Sequence, residues 1–146
     1  MPIESALRER FERSFGLFRD LVESIGQHGL ASRLGDLPSN TIGAQLWCVG
    51  GARESYSRAI AAGAWSGFTC SLDEPGSTSK VLVALARSET DVRESLDGLE
   101  SATDLASGLI LDLLEHEAAH QGQLIRYLYG LRLPIPASWK ARYALD

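Results

Sequence analysis

The chain has only two cysteines, Cys48 and Cys70. Two thiols are too few for the disulfide framework of a small secreted domain, so the fold has to be held by an apolar core. No apolar run approaches the length of a membrane span, which argues against a membrane partner. The first residues, Met1-Pro2-Ile3-Glu4, lack the basic and apolar regions of a secretory leader, and the expected location is cytoplasmic. Basic residues number 14 against 19 acidic ones, for a formal net charge of −5, and they gather into no stripe. A nucleic-acid partner is therefore not expected. Alternating apolar and polar positions, the mark of half-buried strands, are missing as well. So are internal repeats and low-complexity tracts.

Amphipathic helix is what the chain does have. Its 146 residues, 45% hydrophobic and 23% charged, suit a single domain spanning 1–146 with a core of useful size. Leu7, Phe11, Phe15, Phe18, Val22 and Ile25 recur at three- and four-residue steps and predict a first helix, closed at Gly26 and Gly29. After Pro38, a cap at Ser39 or Asn40 opens a second helix through Leu46, Val49, Tyr56 and Ile60, ending near Gly63. Gly50-Gly51 inside it implies close approach of a neighbour, because two glycines weaken a helix that gains nothing from them. Residues 64–78 form a connection. Val81, Leu85, Val92 and Leu96 mark a third helix closed near Gly98. A fourth starts at Ser101 or Thr103 and carries Leu105, Leu109, Leu113, His116, His120, Leu124 and Tyr127 on one face, up to Gly130 and Pro134. A short tail from Trp139 adds one or two turns. The fold class expected is all-α: an up-down-type four-helix bundle with a short C-terminal helical tail.

Histidine is scarce too, and its placement is informative. Two of the three histidines, His116 and His120, stand one helical turn apart, where side chains share a face and can address one ion. Imidazole is the commonest side-chain metal ligand. The plainer alternative is a pair of histidines bonded to neighbours on a half-buried face. His-Glu-x-x-His is also the zinc-protease signature, with Glu117 as general base. That reading needs a further ligand downstream, and from Gln121 onward there is no histidine and no carboxylate before Asp146. A third ligand is therefore expected upstream. His28 sits at a helix end and suits a solvated cap. Asp112, one turn before His116, could ligate or hold an imidazole in its tautomer. Cys48, on a second-helix face with Gln45, Ala52 and Ser55, would complete a Cys-His-His set with an open fourth position. A buried inert thiol is the competing reading for Cys48, and an ordinary half-buried thiol the expectation for Cys70.

The segment His116-Glu117-Ala118-Ala119-His120-Gln121-Gly122-Gln123, with Tyr127-Leu128, the turn Gly130-Leu131-Arg132-Leu133-Pro134-Ile135-Pro136 and the closing Ser138-Trp139-Lys140, resembles the DinB-like (YfiT-like) family of bacterial four-helix bundles. Ile42-Gly43-Ala44-Gln45-Leu46-Trp47-Cys48-Val49 resembles that family's other signature. The resemblance implies one divalent ion, zinc or nickel, held by three histidines, of which two fall on His116 and His120. The third position holds Cys48, with Gln45 as an alternative register. It further implies a homodimer, and metal-dependent hydrolysis or transfer of a low-molecular-weight thiol onto a small-molecule electrophile. Glu117 would then be a proton acceptor, although about 100° of helix rotation from His116 makes a solvated glutamate the plainer reading. Gln123 could orient a ligand or bond to a neighbouring helix. Arg53 and Arg126 could meet an anionic thiol but read as solvated surface. The alternative function is a non-enzymatic, metal-free dimeric bundle that binds a ligand or partner.

Overall fold

Helix boundaries in the computed structural model, which describes residues 2–146, follow the glycine and hydroxyl punctuation of the sequence. Helix α1 runs Ile3–Leu30 and kinks at Gly26, whose φ of 60° and ψ of −167° are open to glycine and costly for other residues. Helix α2, Ile42–Ala62, is capped by Thr41, whose hydroxyl accepts the Ala44 N–H at 3.0 Å. The cap expected at Ser39 or Asn40 is thus one or two residues early. Ser39 instead accepts from the Leu34 N–H, and the Asn40 carbonyl oxygens accept from the Tyr127 hydroxyl, so both side chains have other work. Gly63, with φ of 72°, closes α2.

Helix α3, Thr78–Asp97, begins at the Ser77 cap and ends at Gly98. A single 3-10 turn, Leu99–Ser101, leads to Thr103, whose hydroxyl caps α4, Asp104–Gly130. The tail forms α5, Ala137–Tyr143. Among the described residues there is no strand, and the molecule is an all-helical bundle. No helix is long and apolar enough to cross a membrane. α2 packs chiefly on α3 and α4, α1 packs chiefly on α3, and the consecutive helices α1 and α2 touch little.

Two apolar clusters fill the interior. One gathers Phe18, Leu21, Leu46, Val49, Val81, Leu85, Leu124 and Trp139. The other gathers Leu7, Phe11, Phe15, Val92, Leu96, Ile110 and Leu113. Each fully buried large apolar side chain contributes about 1.5–3 kcal/mol relative to exposure. Trp139 is fully buried, and its indole N–H donates to the Leu17 carbonyl at 2.7 Å, which ties α5 to α1. Between the clusters the helices contribute polar residues: Ser14, Arg53, Ser88, Glu117 and Gln121, all buried.

The glycine pair of α2 splits in function. A Cβ on Gly51 would lie 2.4 Å from the Phe68 ring and 2.9 Å from Cys70, so its absence lets the 63–77 connection lie against the helix, as the sequence implies. Gly50 has open space beside it, and nothing in the structure explains its choice. Ser55 then pins the connection by accepting the Thr69 N–H and donating to the Thr69 carbonyl, both at 3.0 Å.

Candidate metal centre

The buried seam of α4 decides where its polar side chains point. It runs Ala106, Ile110, Leu113, Glu117, Gln121, Leu124 and Leu128. This differs from the stripe expected from the sequence, in which Leu105 and the histidines face the core; Leu105 is 41% exposed. A leucine-rich helix offers two adjacent stripes of nearly equal apolarity, and a glutamate and a glutamine in the true seam disguise it. Helix geometry then places His116 and His120 on the flank beside α2, with both rings half-buried.

Cys48 of α2 meets them there. The Cys48 Sγ lies 3.5 Å from His116 Nε2, and the two imidazole rings stand 4.5 Å apart at 64°. Together these three residues offer ligand atoms that all fall within 4.8 Å of one another. Zinc bonded tetrahedrally to sulfur at ~2.3 Å and nitrogen at ~2.0–2.1 Å holds those two atoms roughly 3.6 Å apart. The Cys48–His116 separation of 3.5 Å already matches that edge.

Gln45, one turn before Cys48, lies behind the ligands. Its Oε1 accepts from His120 Nδ1 at 2.9 Å, which places the proton on Nδ1 and leaves the Nε2 lone pair free. Gln45 therefore orients His120, while Cys48 stands with the two histidines. His116 is less complete: its Nδ1 is buried without a hydrogen-bond partner. A buried polar atom left unpaired costs about 1–3 kcal/mol.

Burial keeps the cluster neutral. Burial, then the neighbouring His116, pushes the His120 pKa down to about 4. Burial also lowers that of His116, with Glu117 opposing and Arg53 adding to the shift. Both imidazoles therefore present lone pairs at neutral pH. Burial raises the Cys48 thiol, so a metal ion would have to displace its proton. Two imidazoles and a thiolate form a borderline-soft donor set with an open fourth position, and they fit a zinc-like ion.

Several sequence expectations require correction. Glu117 is fully buried instead of solvated: Arg53 Nε and Nη2 donate to its two carboxylate oxygens at 2.5 and 2.9 Å, and Ser14 donates to one of them. With both oxygens taken by Arg53, Glu117 is no free proton acceptor beside the histidines. Arg53, expected on the surface, is fully buried over the Phe15 ring at 4.6 Å, and donates also to Ser88 at 3.3 Å. The sequence does carry a signal for this pair. Arg53 falls in step with Leu46 and Val49, and Glu117 with Ile110 and Leu113; opposite charges on two apolar seams point to a buried bridge. Gln123 is exposed, and the buried glutamine of α4 is Gln121. Asp112, His28 and Arg126 are exposed and stand outside the cluster, as expected for the last two. Cys70 is half-buried in the connection, with burial raising its thiol.

No protein-family model, curated protein or solved structure matches this chain.

Proposed function

We propose that the protein is a DinB-like bundle of up-down type that binds one divalent ion, zinc or nickel, through Cys48, His116 and His120. One observation carries the reading: two helices bring an imidazole pair and a thiol within 4.8 Å, and a buried glutamine sets the tautomer of one imidazole. In this reading the activity is metal-dependent hydrolysis, or transfer of a low-molecular-weight thiol, on a small molecule, by a cytoplasmic homodimer.

Within the site, Cys48 and the histidines bind the ion, and Gln45 orients His120. The ion would supply Lewis-acid activation of a thiol or water at its open position. Aromatic side chains of α2 and the connection offer apolar contact to a substrate: Trp47 lies against Phe68 at 5.2 Å and Tyr56 against Trp65 at 5.4 Å. Trp47, Trp65 and Phe68 are all exposed.

A second reading has its own support. The 3.5 Å Cys48–His116 contact is also a thiol–imidazole hydrogen bond, which a metal-free, non-enzymatic binding module would keep. Metal content separates the two. Protein purified without chelators or nickel columns should carry about one zinc or nickel per chain, and His116→Ala should carry none while retaining its helical circular dichroism. Failure of the wild-type protein to take up either metal after incubation would leave the binding module.

A further inference from the structure

A second constellation lies on the other flank of α4. There a cavity of about 240 Å³ opens between α1, α4 and α5. Arg10, Arg13 and Arg142 line it, together with Ser14, Gln121 and Tyr143. Three arginines converging on one cavity run against the acidity of a chain with net charge −5. Among the described residues none of the three is in an ion pair. Two carboxylates of α1 are engaged elsewhere: Glu12 holds Arg93 at 2.6 Å, and Asp20 accepts from Ser138 at 2.6 Å. Glu117 is the single carboxylate lining the cavity, and Arg53 neutralises it.

Ser14 and Gln121 are each only 4% exposed. The Gln121 amide carries two N–H donors, and one goes to the Ser14 hydroxyl at 2.7 Å. The other has no protein acceptor among the described residues. Tyr143 donates to the Gln121 carbonyl, and the Arg142 guanidinium lies 5.2 Å from the centre of the Tyr143 ring. The cavity thus combines buried polar atoms, one spare donor and three guanidinium groups outside any ion pair, of which Arg10 also donates to the Ala6 carbonyl at 3.0 Å.

We propose that this cavity is a binding site for a small oxyanion, a phosphate or carboxylate group, held by Arg13 and Arg142 with Arg10 at the rim and the spare Gln121 N–H beneath. Guanidinium forks match both groups in bidentate geometry. The volume is below the ~300 Å³ at which drug-sized pockets begin, which suits phosphate or a short dicarboxylate. Because the lining comes from α1, α4 and α5, an occupant cross-links the terminal helix to the bundle. The site shares no ligand with Cys48, His116 and His120.

Isothermal titration of the metal-free full chain with inorganic phosphate, and separately with succinate, tests the assignment. One saturable site for at least one of them is expected, weakened about tenfold or more in the Arg13→Gln/Arg142→Gln double variant. Affinity should be unchanged in His116→Ala, which separates this site from the metal centre. Binding of phosphate alone assigns a phosphate group, of succinate alone a carboxylate, and of both the shared oxyanion chemistry. Both arginines are exposed, so the double variant should keep its helical circular dichroism; Arg10→Glu gives an independent electrostatic test. Absence of saturation by either anion, or equal affinity in the double variant, would overturn the proposal.

Discussion

The buried seam of α4 and the flank beside α2 carry polar clusters one residue apart in sequence and opposite in character. On one side Glu117 is fully buried and both its oxygens are taken, by Arg53 and Ser14, with Ser88 receiving a further arginine N–H. On the other side His116 and His120 are half-buried, and the cluster keeps spare valences: a bare Nε2 on His120, an unpartnered Nδ1 on His116, and a protonated thiol. A polar group whose bonds are all met by the protein belongs to the scaffold. A buried polar group with a bond to spare marks a place where something else can bind. The comparison matters because the sequence presents both clusters as one motif, His-Glu-x-x-His, and only packing separates them.

Breaking the saturated side should have the largest effect. Glu117→Ala leaves the Arg53 charge buried without its partner, and should cost about 3–5 kcal/mol in urea unfolding. Replacing both partners, Arg53→Met with Glu117→Leu, should recover most of that loss, since the desolvation of both charges disappears together. Equal instability of the single and double variants would show that the pair does more than neutralise itself.

On the open side, stability should follow the ion. Zinc at a hundred times its dissociation constant should raise the unfolding free energy by about 2.7 kcal/mol, and His120→Ala should abolish that increment. Gln45→Leu should act through affinity instead, weakening zinc binding by about 10–100-fold in a competition titration with a chromophoric chelator. An unchanged affinity would remove Gln45 from the site.

The smallest effect is the pH dependence of the metal-free protein. An unfolded histidine takes up its proton near pH ~6.5. Folded His120 resists until about 4, because burial and His116 disfavour the charge. The unfolded state therefore binds more protons in that window, and stability falls as pH drops from ~6.5 to about 4. Above ~6.5 both states are neutral and this contribution vanishes. His120→Gln should flatten part of the slope in urea midpoints between pH 7 and 5, whereas an unaltered slope would assign it to carboxylates.

Much of the bundle is legible in the sequence because its punctuation is local. Gly26 kinks α1, Gly63 ends α2 and the Thr103 hydroxyl starts α4 by local geometry that no distant residue decides. The α2 cap was less legible: Ser39, Asn40 and Thr41 are all competent caps, and tertiary bonds from Leu34 and Tyr127 claim the first two. The histidine spacing identifies a shared face, but not that the seam passes through Glu117 or that the glutamine behind the ligands is Gln45. Those are choices between nearly equivalent stripes, settled where Arg53 finds the Glu117 carboxylate, which also accepts from the Ser14 hydroxyl across the bundle. The arginines of the α1–α5 cavity are further still from view, since Arg10, Arg13 and Arg142 come together only when the tail docks through Trp139.

The coordination shell of the zinc-loaded protein tests the central claim most directly. X-ray absorption at the zinc edge should give one sulfur at ~2.3 Å and two imidazole nitrogens at ~2.0–2.1 Å, with the sulfur lost in Cys48→Ser. A shell of nitrogen and oxygen only, identical in the wild type and Cys48→Ser, would contradict the Cys48–His116–His120 centre.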